Sequence, residues 1–89
     1  MSVSSHAKVM NEKGIHARPS SEIAKEALRY KSDITIIYNG KTASAKDVLQ
    51  LIMLELFQGT EVEIISDGED EVEALNAVKE LVEKTYSFD

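Results

Sequence analysis

The 89-residue chain contains no cysteine and no tryptophan, one proline and four glycines. Without cysteine it cannot form a disulfide framework, a thiolate metal site or a cysteine nucleophile, so a reducing, cytoplasmic setting is the default expectation. No apolar run approaches the roughly 20 residues of a membrane span, and the first residues lack the apolar region of a signal peptide. We therefore expect a soluble cytoplasmic protein with no segment inserted in a membrane.

Basic residues are also scarce, since 10 Lys and Arg stand against 16 Asp and Glu, for a net charge of −6. This balance argues against nonspecific nucleic-acid binding, which requires an excess of cations, although a local basic patch remains compatible with it. The length predicts one domain over residues 1–89 with a thin core and no large internal cavity. Function should therefore reside on the surface.

Hydrophobic spacing alternates between strand and helix periods along the whole chain. The pattern predicts an α+β protein of order βαββαβα, with two layers and a mainly antiparallel sheet that carries three helices on one face. The first half of the chain is predicted to contain a strand over Val3–Val9, a helix from Ala17 to about Tyr30 whose apolar stripe includes Leu28, and strands Asp33–Tyr38 and Lys41–Ala43 joined by Asn39–Gly40. The second half is predicted to contain a helix capped by Asp47 and ending near Phe57, a strand Glu61–Ser66 and a helix Glu69–Tyr86. The residues at core spacing in this last helix are Val72, Leu75, Val78, Val82 and Tyr86.

The segment Gly14–Pro19 is the first candidate site, because it lies where the first strand passes into the first helix. Gly14 permits a sharp turn, and Pro19 is tolerated only in a first helical turn, so the helix must begin close to His16. Backbone N–H groups at a helix start bind anions, and the guanidinium of Arg18 suits a phosphoryl group. A histidine that accepts a phosphoryl group is a coherent interpretation.

A plainer interpretation of the same residues has comparable weight: His16 caps the helix and Arg18 is a solvated surface residue. His6, on the polar side of the first strand, is expected to face solvent. The two histidines have no spacing that is typical of metal ligands, so no metal site or cofactor is expected. The acidic run Asp67–Glu73 does not match a calcium loop and is expected to be a solvated helix start.

The second predicted helix has almost no polar side between Val48 and Phe57. A helix on a thin domain buries one side only, so some of these apolar side chains should be exposed and form a partner surface. The competing interpretation is a helix that is buried more deeply than usual. The small polar segment that precedes it lacks a second histidine to activate a serine, which makes a serine hydrolase improbable.

Taken together, four short segments closely resemble the HPr family, the histidine-containing phosphocarriers of the bacterial phosphoenolpyruvate-dependent sugar phosphotransferase system. The resemblance extends over essentially the whole chain, and it implies an open-faced β-sandwich with strand order 1-4-2-3. The segments that carry it are Gly14–Pro19, Asn39–Lys46, Gln58–Thr60 and Gly68–Glu71.

The resemblance also implies a role and a set of site residues. His16 would accept a phosphoryl group on Nδ1 from phosphorylated enzyme I and pass it to IIA domains of sugar permeases. Ala17 and Arg18 would bind the phosphate, and a monomeric carrier, not an enzyme, is implied. The partner-docking residues implied are Ala17, Ser21, Lys25, Lys46, Val48, Leu49 and Ile52.

This chain departs from the family pattern in ways that bear on partners. Asp47 replaces the regulatory serine that many members carry, so this position cannot be phosphorylated as a serine is. The Asp47 side chain either caps the helix or imitates phosphoserine. Leu28 and Gln50 occupy positions that are often basic in the family. Glu55 occupies a position that is often glycine in the family. Two alternatives stay open: a family member in a nitrogen-related or regulatory relay, and a binding module that is never phosphorylated.

Overall fold

A computed structural model describes residues 2–86, so Met1 and Ser87–Asp89 of the predicted domain lie outside the described residues. The element order βαββαβα agrees with the prediction. The elements are β1 (Ser2–Lys8), α1 (Ala17–Ala27), β2 (Asp33–Tyr38), β3 (Lys41–Ser44), α2 (Val48–Met53), β4 (Glu61–Asp67) and α3 (Glu71–Val82).

The strands form one four-stranded sheet of order β1-β4-β2-β3, and every pairing is antiparallel. The alternation of apolar and polar residues becomes two different sheet faces because successive side chains point to opposite sides. One inner row runs through Ser5, Ile64, Ile36 and Ala43, which lie in register across the four strands. The helices cover this inner face, so the fold class and strand order are confirmed as an open-faced α+β sandwich.

The core lies between the inner face of the sheet and the three helices. Ile23, Ala24 and Ala27 contribute the buried side of α1, and the chain between the elements adds further buried side chains. The largest apolar side chains that are essentially inaccessible to solvent are Val9, Ile23, Ile34, Ile36, Leu51, Val62, Ile64, Val78 and Val82.

All three helices are shorter than the periodicity predicts. The helix α1 ends at Ala27, because the N–H groups of Arg29 and Tyr30 bond three residues back, to Glu26 and Ala27, in a tightened final turn. The apolar stripe alone does not reveal this tightening. Leu28 consequently lies outside the core and is 64% exposed.

The helix α2 ends at Met53, four residues before the predicted end. The N–H of Glu55 bonds to the Ile52 carbonyl, and Glu55 then takes a positive φ of 55°. Such a conformation stops a helix and favours glycine, since a side chain there costs about 1 to 2 kcal/mol. Because this chain has Glu55 where the family often has glycine, its backbone is locally strained at this residue.

The helix α3 begins at Glu71 rather than Glu69, and it ends at Val82 instead of continuing to Tyr86. Leu75, Val78, Val82 and Tyr86 are buried as predicted. Val72 is 52% exposed, so its assignment to the core was wrong. It lies in the first turn of α3, and helical spacing alone does not show which residues of that turn a neighbouring element covers.

At each outer edge of the sheet one backbone N–H group is bonded to a side chain from another element. At the β3 edge the Ser44 N–H donates to Gln50 Oε1 of α2 at 2.8 Å. At the β1 edge the Lys8 N–H donates to Glu83 Oε2, beyond α3, at 3.2 Å. Occupied edge groups are poorer templates for pairing with another chain.

Within residues 2–86 no helix meets the length and hydropathy needed to cross a membrane.

Asp70 ties the start of α3 to the loop that follows α1. Its Oδ1 accepts from the Ser32 hydroxyl at 2.6 Å and the Ser32 N–H at 3.0 Å, and its Oδ2 accepts from the Lys31 N–H at 3.0 Å. These donors, the Ser32 hydroxyl first, lower the pKa of Asp70 from 3.8 to about 2. The far end of α1 from His16 is thereby fixed to α3.

The Asp70 contact predicts a pH-dependent contribution to stability. Because the folded-state pKa is depressed, the contribution is fully present above about pH 4 and is lost as the pH falls toward 2. Asp70→Asn should lower the urea midpoint at pH 7, and its difference from the parent should shrink between pH 4 and pH 2. Glu80→Gln, on the exposed side of α3, is the charge-matched control. A parent-to-Asn difference that stays constant from pH 7 to pH 2 would contradict the assignment.

Candidate functional site at the start of α1

The loop between β1 and α1 is held against the segment that follows α2. The Val9 N–H donates to the Thr60 carbonyl at 2.8 Å, and the Ile15 N–H donates to the Leu56 carbonyl at 3.1 Å. Gly14 has φ 73°, and a Cβ at this position would overlap the Leu56 carbonyl oxygen. Only glycine fits both the backbone conformation and this close approach, so Gly14 determines how the chain enters α1.

His16 lies immediately before α1, as predicted. Its carbonyl accepts the first helical hydrogen bond, from the Ser20 N–H at 2.9 Å, while its backbone is extended, with φ −96° and ψ −159°. His16 is the N-cap residue of α1, so its interpretation as a helix cap is confirmed, although the imidazole makes no capping hydrogen bond to the helix. An extended residue can cap through its backbone alone. The side chain is half-buried, and its Nε2 is inaccessible to solvent.

The first turn of α1 contains Ala17, Arg18 and Pro19 in succession. Ala17 and Arg18 are exposed, whereas Pro19 is buried as the third helical residue, where no intrahelical N–H bond is lost. Backbone N–H groups in a first turn have no acceptor inside the helix, and no acidic side chain occupies this turn. The turn therefore favours an anion beside the imidazole, with the Arg18 guanidinium carried on the same turn.

An exposed stripe runs along α1 from the first turn. Ala17, Ser21 and Lys25 are all exposed and recur every four residues, so they lie on one side of the helix. The Ser21 hydroxyl donates to the Ala17 carbonyl at 2.9 Å. These three of the predicted docking residues thus share a surface that begins next to His16.

The helix α2 packs between α1 and β3, and its outward side is apolar. Gln50 marks the side that faces β3, because its amide bonds to the Ser44 N–H. With Leu51 buried, helical geometry directs Leu49 and Met53 away from the protein and turns Val48 and Ile52 toward the opposite side from Gln50. The expected exposure of apolar side chains is confirmed, since Leu49 is 66%, Met53 64% and Ile52 37% exposed.

Lys46 occupies a different environment from the other predicted docking residues. It is half-buried, and its ammonium donates to the Tyr30 carbonyl beyond the last turn of α1, at 2.9 Å. The 11 residues of α1 extend roughly 16 Å, so this charge lies at the opposite end of the helix from His16. Its contact stabilises exposed carbonyl groups at a helix end.

Asp47 is the N-cap of α2. Its Oδ1 accepts from the Gln50 N–H at 3.1 Å, and its Oδ2 accepts from the Gln50 side-chain amide at 3.2 Å. The second of these bonds connects the cap to Ser44 through the same glutamine. The capping interpretation of Asp47 therefore has direct geometric support, and both carboxylate oxygens are engaged in it.

The described surface also carries a groove that is separate from the start of α1. A groove of about 260 Å³ lies beside α2, lined by Lys41, Thr42, Gln50, Met53 and Leu54. It lies on the β3 side of the helix, away from the α1 side. Within residues 2–86 no three histidine, aspartate or glutamate residues are grouped so as to hold a metal ion. His6 is exposed on the open face of the sheet, as expected.

Sequence reasoning missed three residues close to this site. Asn11 is buried beside Gly14, and Phe57 and Met10 are exposed on the two segments that pack against each other. The Gln58 side chain donates to the Met10 carbonyl at 3.3 Å, which places these segments side by side. A polar residue directly after an apolar strand was the available signal for Asn11. Nothing in the sequence alone brings residue 57 to the loop before His16.

Known proteins resemble this chain along most of its length. The family model for the PTS HPr component phosphorylation site matches residues 3–84. Phosphocarrier protein HPr of Mycoplasma capricolum is 39% identical over 81% of this chain and 81% of its own, and that of Haemophilus influenzae is 39% identical over 89% and 93%. The crystal structure of an HPr from Bacillus anthracis superposes with a TM-score of 0.88 at 33% identity, covering 92% of this chain and 98% of that one.

The cap of α2 can be tested by two substitutions. Asp47→Ala removes the acceptor for the Gln50 N–H and should lower the free energy of unfolding by about 1 kcal/mol, whereas Asp47→Ser retains a capping oxygen and should change it by a few tenths at most. Urea unfolding at pH 7 measures both. Equal losses in the two variants would show that the side chain stabilises α2 by some means other than capping.

Proposed function

This chain belongs to the HPr family of phosphocarrier proteins of the phosphotransferase system, and on that premise we propose that His16 is its phosphorylated residue. It accepts a phosphoryl group from phosphorylated enzyme I and donates it to IIA domains of sugar permeases, in the cytoplasm and without catalysing a reaction of its own. The observation that carries the proposal is a half-buried imidazole beside an anion-binding helix start that also bears Arg18.

The transfer is an in-line displacement between two imidazoles. Nδ1 of His16 attacks phosphorus, since Nε2 is buried, and the N–P bond of the donor histidine breaks. When the donor phosphohistidine is protonated on its other nitrogen, it leaves as neutral imidazole with the electron pair of the broken bond. His16 begins with its proton on Nε2 and ends in the same protonated form as the original donor. No proton has to cross the interface.

Phosphate stabilisation comes from groups that are already in place. The Ala17 N–H and the dipole of α1 supply fixed positive potential, and Arg18 supplies the charge of its guanidinium. A fixed, modest site suits a carrier, because the phosphoryl group must be held in line and also released. The Ala17 N–H and the Arg18 guanidinium can bind the phosphoryl group in this way without a metal ion or cofactor.

Docking is proposed to use the exposed stripe of α1 together with the outward side of α2. Apolar contact through Val48, Leu49 and Ile52 supplies affinity, and Ala17 and Ser21 allow close approach beside the phosphorylated ring. Lys25 offers a charge to an acidic rim on the partner. Lys46 is proposed as a weaker contributor, because its ammonium already bonds to the Tyr30 carbonyl.

His16→Ala should abolish phosphorylation, because it removes the nucleophile. Arg18→Ala should slow transfer roughly 10- to 1,000-fold, as expected when one charged stabiliser is lost. The measurement is intact-protein mass after incubation with phosphoenolpyruvate and enzyme I, with rapid quenching for the rates. The product should gain one acid-labile phosphate, and urea unfolding should show that both variants remain folded.

A different result would redirect the assignment. Phosphate uptake by His16→Ala would place the phosphorylated residue elsewhere. No uptake by the parent, with an enzyme I active on a control carrier, would favour a binding module that recognises partners through α2 alone. Loss of folding in His16→Ala would indicate a structural role for the imidazole.

Leu49→Asp tests the docking surface separately from the chemistry. It should raise the half-saturating concentration of enzyme I about tenfold or more while leaving the maximal transfer rate unchanged, because the substitution is remote from the reacting atoms. Val72→Asp is the matched control, since Val72 is also an exposed apolar residue but lies at the start of α3, at the opposite end of the protein from His16. Equal effects of the two substitutions would contradict the proposed surface.

A further inference from the structure

Asn11 is a buried polar residue in the loop that leads to His16, and it is only 1% exposed. Its side-chain amide donates to the Gly14 carbonyl at 2.9 Å, and its own carbonyl accepts from the Gly14 N–H at 2.9 Å. Two hydrogen bonds therefore close the turn over residues 11–14. The turn ends two residues before His16, so its shape sets the direction in which the chain reaches the imidazole.

The same side chain also binds the segment beyond α3. Asn11 Oδ1 accepts from the Tyr86 N–H at 2.9 Å, in a buried position. Tyr86 is itself fixed, because its ring is 5% exposed and its hydroxyl donates to the Leu81 carbonyl in the last turn of α3 at 2.8 Å. The amide of Asn11 thus bridges the turn before His16 and the end of α3.

The loop before His16 is held by two different segments, and the Asn11 bridge to Tyr86 is one of these two contacts. Across from it, Gly14 lies against Leu56, and the Ile15 N–H bonds to the Leu56 carbonyl. The backbone on the N-terminal side of His16 is therefore held between the segment after α2 and the segment after α3. The imidazole is attached directly to this backbone, so a shift of the backbone moves the ring.

We propose that Asn11 is a positioning residue for the phosphoacceptor, acting through Gly14 to orient the His16 ring for in-line transfer. This inference rests on the proposed function, because it assigns a geometric requirement to His16 as the nucleophile. The Asn11 bridge also makes the transfer rate sensitive to the C-terminal segment, which reaches the loop through Tyr86. Small errors in placing reacting groups cost large factors in rate.

An amide is the side chain that meets both demands of this position. It presents a donor to the Gly14 carbonyl and an acceptor to the Tyr86 N–H at the same time. An aspartate of the same size retains the acceptor but places an oxygen against the Gly14 carbonyl. An alanine provides neither, and leaves two buried backbone groups without this partner.

The test compares Asn11→Ala and Asn11→Asp with the parent and with Ser32→Ala. Ser32→Ala is the matched control, because it removes a buried hydroxyl bonded to Asp70 at the far end of α1. The first readout is the single-turnover transfer rate against the concentration of phosphorylated enzyme I. The second is the ring-nitrogen NMR spectrum of His16 in the unphosphorylated protein. All measurements are made where urea unfolding shows each variant fully folded.

The two Asn11 variants should lower the maximal transfer rate roughly 10- to 100-fold, with little change in half-saturation because the docking surface is intact. They should also shift the His16 ring resonances, and Ser32→Ala should do neither. If a folded Asn11 variant keeps the parent rate and the parent ring resonances, the inference is overturned. If the parent itself accepts no phosphate, the proposed function fails, and unchanged ring resonances in the variants would independently refute the positioning role.

Discussion

The backbone of residues 14 and 15 lies directly against residues 56 and 57, and the candidate site depends on this contact. The approach is so close that a side chain at Gly14 would collide with the Leu56 carbonyl. A hydrogen bond from the Ile15 N–H to that carbonyl fixes how the two backbone segments are oriented relative to each other. Since α1 starts immediately afterwards, the contact determines where the helix N-terminus and the imidazole lie relative to α2. A phosphoacceptor and its docking surface must keep such a relation for transfer to occur.

The helices are attached to the sheet in a way that leaves their outer surfaces available. Gln50 and Glu83 bond to exposed N–H groups at the two sheet edges, and Asp70 fixes the end of α1 to the start of α3. These attachments use polar groups at the margins of the helices. The outward apolar side chains of α2 stay exposed in this arrangement, as the proposed docking role requires.

Two of the charged residues singled out in the sequence make contacts within the protein. Lys46 is occupied at the far end of α1, and both oxygens of Asp47 are engaged by Gln50. Lys46 therefore has a structural contact besides the docking role implied for it, and Asp47 acts as the helix cap that was one of its two interpretations. The proposed docking surface is accordingly more apolar than a sequence comparison implies, with Lys25 as the exposed cation on the α1 stripe.

The amino-acid sequence by itself determined the element order, the fold class and the position of His16 at a helix start. Alternation, helical spacing, Asn39–Gly40 and Pro19 are local signals, and each acts over a few residues. The tertiary structure decided the helix ends, the exposure of Leu28 and Val72, and the environment of Lys46, because these depend on which surface a neighbouring element covers. It alone brought Asn11, Gly14 and Tyr86 together, since a contact between residues 75 positions apart leaves no periodic trace in the chain.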